Sequence, residues 1–346
     1  MKLRTSYLGL DLRTPLVASA SPLTAEIDRL KELEEAGISA VVLPSLFEEQ
    51  ILKDAAQIEQ GLVQGTESFA ESLTFFPRYE EILPAPHEYL AHVTKAKKAL
   101  KVPVIASLNG CTPGGWTNYA KNIEQAGADA LELNLYNVHT DPTVTATDRE
   151  NSYVEVLKAV KSAVKIPVAV KLSPFFTSLP NIASRMTGAG AQAIVLFNRF
   201  YQPSINPETL EVETAFSFSR SATLRLPMRW IAILHGRIQA DFAASGGVHE
   251  ARDVVKALLA GANVTMLCSS LFHNGIKHVR TLEQGLRHWM EEYEYTAVKD
   301  MIGIASQKKH ENPEAYERAQ YLQVLRGFRN PEEIGQGNIT EDSWPI

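Results

Sequence analysis

Two kinds of apolar run alternate along this chain, and the alternation limits the folds open to it. Ala36-Gly37, Ala126-Gly127, Ala189-Gly190 and Ala260-Gly261 each precede one run, such as Ala40-Val41-Val42-Leu43. Between them, Lys101-Val102-Pro103 leads into Val104 to Leu108, Lys165-Ile166-Pro167 into Val168 to Leu172, and Arg237-Ile238-Gln239 into Ala240 to Ala244. Continuous apolar runs bounded by Gly and Pro read as parallel strands buried on both faces. With Pro15-Leu16-Val17-Ala18-Ser19 in front, the runs make eight strands. Eight closes a (β/α)8 TIM barrel, in which chemistry sits at the C-terminal ends of the strands.

Helical periodicity between the runs predicts helices beginning after Thr24 and near 86–99, 116–126, 149–163, 179–188, 227–236, 249–260 and 276–293. Thr24 is the expected N-cap of the first. The recurring Gly after Ala reads as a helix stop, since a helix often closes on a left-handed residue. Two stretches interrupt the pattern. Residues 46–85 form a long, aromatic insertion after the second strand, where about 2 to 6 residues would suffice. Residues 198–225 form a polar stretch after the sixth strand, with a small hairpin expected at 210–218. The barrel is expected to span 1–294, with a charged helical extension over 295–346.

At 346 residues the chain has room for one elaborated barrel. A net charge of −6 leaves no basic footprint for nucleic acid. No apolar run reaches membrane-spanning length, so neither nucleic acid nor membrane is an expected partner and a cytoplasmic location is. The only cysteines, Cys111 and Cys268, cannot by themselves build a disulfide framework or a four-cysteine iron–sulfur site, and no metal site is expected.

Chemistry concentrates at the strand ends. Ser245-Gly246-Gly247 closes the seventh strand, and Cys268-Ser269-Ser270 closes the eighth. Paired glycines can turn backbone amides toward an anion, and this pair of loops is the usual phosphate cradle of a barrel. Lys171 ends the fifth strand. An ammonium in an apolar strand needs a partner or an open mouth to point into, and Glu132 shares its side of the neighbouring strand. Asn134 and Asn109 end the fourth and third strands, and the small residues Ser19 and Ala20 end the first. A phosphate cradle, a lysine and two asparagines describe a site for a planar, phosphorylated, charge-accepting ligand. Flavin mononucleotide (FMN) fits that description. A sugar-phosphate isomerase or lyase with Lys171 as Schiff-base nucleophile, and a flavoprotein that only relays electrons, are the alternatives.

The order Pro15-Leu16-Val17-Ala18-Ser19-Ala20-Ser21, Glu132-Leu133-Asn134-Leu135, Val170-Lys171-Leu172-Ser173-Pro174, Ser245-Gly246-Gly247 and Cys268-Ser269-Ser270 resembles the dihydroorotate dehydrogenase family over roughly residues 5–290. The resemblance implies an FMN-dependent oxidoreductase acting on CH–CH groups in pyrimidine biosynthesis. Lys171 would lie near the flavin ring and Asn109 and Asn134 would bond it, with Ser245, Gly246, Gly247, Ser269 and Ser270 at the phosphate. Asn137 and Asn198 would meet a small acid substrate. It also leaves room for a redox partner subunit, and a homo-oligomer is expected.

Several positions depart from the family. Where the family carries a Cys or Ser base followed by Pro-Asn, this chain reads Tyr136-Asn137-Val138-His139-Thr140. His139 is the expected substitute base, oriented by Asp141, with Asn137 beside it. The lysine of some members near the end of strand two is replaced by Leu43-Pro44-Ser45, and the glycine-rich segment before strand seven by Arg220-Ser221-Ala222-Thr223. A kept cofactor scaffold with a rebuilt substrate face is the expectation, with dihydroorotate one substrate among several.

Overall fold

The computed structural model describes residues 1–51, 86–110, 116–214 and 217–327. From position 52 onward the expected insertion lies outside the described residues, as do Cys111 and the end of the tail. Twelve strands occur among them: β1 (Thr5–Tyr7), β2 (Leu10–Leu12), β3 (Leu16–Ala18), β4 (Ala40–Phe47), β5 (Val104–Asn109), β6 (Ala130–Asn134), β7 (Val168–Leu172), β8 (Ala193–Leu196), β9 (Pro203–Ile205), β10 (Val212–Thr214), β11 (Asp241–Ser245) and β12 (Val264–Leu267). Eight of these close a parallel barrel in the order β11-β12-β3-β4-β5-β6-β7-β8, the (β/α)8 arrangement read from the sequence.

Period-two alternation sorts the side chains of each barrel strand. Val104, Ala106 and Leu108 of β5 face the outer layer, packed against the helices, whereas Ile105 points into the barrel with Val17, Val42, Ala130, Ala169, Val195 and Val264. Alanines at many inward positions keep the interior narrow. The antiparallel hairpin β1–β2 supplies Tyr7, Leu8 and Leu12 to the same interior cluster. The Leu8 N–H donates to Asp241 Oδ2 at 2.8 Å, at the start of β11, so the hairpin stops the N-terminal end of the cylinder. The C-terminal end is left for chemistry.

The helices are α1 (Ile27–Ala36), α2 (Pro86–Ala99), α3 (Trp116–Gln125), α4 (Ala146–Ala163), α5 (Leu179–Gly188), α6 (Arg225–Leu234), α7 (Ala251–Ala260), α8 (Ser269–Asn274), α9 (His278–Glu292) and α10 (Arg318–Gly327). Gly37 ends α1 in the left-handed region at φ 111°, its N–H returning to Glu34 O, which is the helix stop expected of the Ala-Gly pairs. Thr24 is not the cap of α1. Pro22 opens a separate 3-10 turn over Pro22–Thr24, in which Thr24 bonds back to Ser21, and α1 starts only after Glu26.

The small hairpin lies earlier than expected, with β9 and β10 pairing Pro203–Ile205 with Val212–Thr214. Asn206 sets the turn: its side chain accepts from the N–H groups of Glu208 and Thr209, an Asx turn that hydrophobic alternation alone does not locate. Past α9 the chain folds back across α6 and α7, where Gly303 N–H donates to Leu258 O, Gln307 N–H to Ala232 O, and Arg229 Nε to Tyr316 O.

Candidate active site at the barrel mouth

In parallel register Asn134 of β6 lies opposite Lys171 of β7, and Asn109 of β5 opposite Asn134. Because Ala130 and Ala169 point inward, Glu132, Asn134 and Lys171 follow on the same side. Lys171 Nζ donates to Glu132 Oε1 at 3.4 Å, and the two residues are 6% and 1% exposed. A charge pair this deep loses its hydration and relies on its geometry, so each partner is needed by the other.

Below it sits the buried Tyr7. Burial first, and the negative charges of Glu132 and Asp241 next, hold its phenol well above the usual range, so it stays protonated. The Tyr7 hydroxyl and Glu132 Oε2 are both buried without a hydrogen-bond partner among the described residues.

The loop after β8 completes this side. Asn198 N–H donates to Leu172 O at 2.8 Å, and Asn198 Nδ2 to Asn134 Oδ1 at 3.0 Å. Ser19 N–H donates to Leu267 O, tying the end of β3 to β12, with Ala20 half-buried beside it. Lys171 with Glu132 and Asn198 with Asn134 thus form two hydrogen-bonded side-chain pairs on neighbouring strands, and Asn109 and Ser19 stand on the same rim.

Ser245 ends β11 opposite Met266 of the parallel strand β12, so the two expected phosphate loops leave from one rim. Gly246 and Gly247 both adopt positive φ, +92° and +80°. Their surroundings differ. A Cβ on Gly246 would meet only Thr223 Cγ2, at 3.8 Å, whereas one on Gly247 would collide with the Leu224 backbone N and lie 2.9 Å from Leu224 Cα. The Gly247 N–H is not open to an anion either: it donates to Ser219 Oγ at 3.2 Å. The Ser219 N–H in turn donates to Ser269 Oγ at 3.2 Å, and the Ser219 hydroxyl also meets His249 Nε2 at 3.2 Å. Ser219 therefore joins the two loops as a third wall of the cradle. Ser270 Oγ is buried there with no partner among the described residues. Ser219→Ala should leave the buried Gly247 N–H unsatisfied and cost about 1–3 kcal/mol in denaturant unfolding.

After Leu135 one expected contact, Asp141 orienting His139, is not made. His139 Nε2 bonds the Tyr153 hydroxyl of α4 at 2.7 Å, and burial, then the charge of Arg149, lower its pKa. Asp141 does not orient it, because its carboxylate is taken by the Thr143 N–H and hydroxyl, two residues along in the same turn. Asn137 is exposed. Neither His139 nor Asn137 shows a hydrogen bond to Lys171, Asn134 or Asn198.

Besides Ser219, three residues at the mouth received no role from the sequence: Cys268, Arg199 and Tyr201. Cys268 directly follows β12, and burial pushes its thiol pKa up against the opposing pull of Lys171, a Ser21 hydrogen bond and Arg199. Arg199 and Tyr201 follow Asn198, and Tyr201 lies within electrostatic reach of Cys268, Arg199 and Tyr136. Their position next to Asn198 was the available signal.

A family model described as dihydroorotate dehydrogenase matches residues 83–290, well over half of the chain and all strands from β5 to β12. A protein of Aeropyrum pernix assigned as a dihydroorotate dehydrogenase A (fumarate) is 28% identical over 285 residues, covering 73% of this chain and 89% of the relative. The dihydroorotate dehydrogenase B (NAD(+)) catalytic subunits of Methanothermobacter thermautotrophicus and Methanocella arvoryzae are 25% and 26% identical, each match covering 88% of this chain and 98% of the relative. Within residues 83–290 lie Lys171 with its partner Glu132, Asn134 with its partner Asn198, and the two loops that leave β11 and β12. The chain belongs to the dihydroorotate dehydrogenase family.

Proposed function

We propose that this protein is an FMN-dependent oxidoreductase that moves hydride between a CH–CH unit of a small acid and flavin. Family membership supports oxidoreductase chemistry of the flavoprotein type and a link to pyrimidine biosynthesis. The observation that carries the reading is the buried Lys171–Glu132 pair, hydrogen-bonded at the rim from which the β11 and β12 loops also leave.

The residues fit FMN. The open space beside Gly246 and the orphaned, buried Ser270 hydroxyl suit a phosphate, with Ser245, Gly247 and Ser269 shaping the wall. Ser19, Ala20, Asn109 and Asn134 would border the ring, and Lys171 would place positive charge beside it. Bound FMN supplies the two-electron acceptor. With Glu132 at its side, Lys171 serves as a fixed charge rather than as a Schiff-base nucleophile, which disfavours the isomerase or lyase reading.

Oxidation of a CH–CH unit also requires a group to take a proton. His139 is the candidate, with Asn137 beside it in the same loop. Its lowered pKa leaves the imidazole neutral near pH 7, and the Tyr153 hydroxyl holds one ring nitrogen. If His139 is the base, His139→Gln should lower kcat by roughly 10²-fold or more and remove the acidic limb of the pH–rate profile; an unchanged limb excludes it.

Dihydroorotate is one substrate to test. A redox partner subunit is a further proposal, since two relatives are named as catalytic subunits, and so is a homo-oligomer. Anaerobic bleaching of the flavin by a panel of saturated acids tests the function. Bleaching by at least one acid supports it, and reversible reduction without turnover of any acid would make the protein an electron relay.

A further inference from the structure

The face of the mouth around Asn198 holds a cation and an aromatic wall that the reading above does not use. Arg199 Nη2 donates to Ser217 Oγ at 2.7 Å, and no carboxylate among the described residues pairs with the guanidinium. Arg199 and Lys171 both lie within electrostatic reach of Cys268. Only Lys171 has an acidic partner, Glu132. Among the described residues the Arg199 charge has no acidic partner.

Beside it, Phe200 stands edge-on to Phe175 with ring centres 4.6 Å apart and lies 5.9 Å from Tyr136. Phe175 and Tyr201 are 64% and 53% exposed. These rings come from the loops after β6, β7 and β8, the arc of the rim on which Asn198 bonds Asn134. A guanidinium offers planar, bidentate hydrogen bonding to a carboxylate, and aromatic rings favour a flat apolar partner.

We propose that Arg199 receives the carboxylate of the substrate and that Tyr136, Phe175, Phe200 and Tyr201 hold its body, selecting an acid with a planar, apolar frame over one with a polar ring. This rests on the proposed function and names the substrate class of that site. The packing of Phe200 toward the β6 and β7 loops favours the substrate over the FMN phosphate as the anion that Arg199 meets. The tether to Ser217, two residues before Ser219, makes the phosphate the alternative to exclude.

Titration calorimetry of the FMN-loaded protein with trans-cinnamate, cinnamamide and orotate separates these outcomes. The expected result is that cinnamate binds at least about tenfold more tightly than either its neutral amide or orotate. In Arg199→Met the preference for acid over amide should vanish while FMN affinity stays within about twofold. Absent binding of cinnamate, equal binding of acid and amide, or tighter binding of orotate overturns the proposal. So does an Arg199→Met protein that loses FMN but keeps cinnamate, which would put the guanidinium on the phosphate. A protein that takes up no FMN instead contradicts the proposed function, and the acid–amide comparison on the protein as isolated still decides the role of Arg199.

Discussion

Lys171→Met is expected to cost about 3–5 kcal/mol of stability and to slow flavin reduction by roughly 10²-fold or more. The first effect follows from burial. Glu132 is 1% exposed, its Oε1 is bonded to Lys171 at 3.4 Å and its Oε2 has no partner among the described residues. Removing the ammonium strands a carboxylate inside the barrel. The second effect follows from position, since Lys171 is the charged donor beside Asn134 at the end of β7.

The two effects separate in a double variant. Lys171→Met with Glu132→Gln removes both charges, so unfolding by urea should show most of the lost stability restored. Flavin reduction should remain slow. A single Lys171→Met variant as stable as the parent would mean that the pair does not hold the interior together. Recovery of the reduction rate in the double variant would remove Lys171 from the chemistry.

Gly247→Ala is expected to destabilise the protein by about 3 kcal/mol or more and to weaken FMN binding severely. Two costs add there. The residue holds φ +80°, which an alanine adopts with strain, and the new methyl would press on the Leu224 and Thr223 backbone. Backbone cannot rotate away as a side-chain tip does, so residues 217–224 must move and the Ser219 bridge between the loops opens. Gly246→Ala is the internal control. It carries a similar φ of +92° but would meet only Thr223 Cγ2 at 3.8 Å, so only the conformational cost of about 1 kcal/mol applies. Thermal unfolding and FMN titration of the two variants should differ clearly, and equal behaviour would contradict the third wall.

The contrast between these glycines also marks what the chain disclosed before folding. Period-two alternation on β6 and β7 put Glu132, Asn134 and Lys171 on one side, and that geometry depends only on neighbours two residues apart. The Ala-Gly helix stops were equally local. Ser219, by contrast, reaches Gly247 across 28 positions and Ser269 across 50, distances over which no periodicity carries information. The plug at the opposite end escaped notice for another reason: β1 and β2 have three residues each, too short for alternation to register, yet Tyr7, Leu8 and Leu12 finish the barrel interior. Nearness in sequence also misled. Asp141 lies two residues from His139 but turns to Thr143, because a carboxylate closes an Asx turn on its own backbone more easily than it reaches a ring on the other side. The second-strand register shifts between Val42 and Ser45 around Pro44, where the Ser45 and Ser107 hydroxyls meet at 2.8 Å, and only the paired strands reveal that.

On the proposed function, a phosphate-anchored flavin would sit across the rim formed by β3, β5, β6, β7, β11 and β12. The most direct test is equilibrium binding of FMN against riboflavin to the full-length protein. One FMN per chain is expected, held far more tightly than riboflavin, with the phosphate preference reduced in Gly247→Ala. Failure to bind FMN, or equal affinity for the two flavins, would contradict that placement.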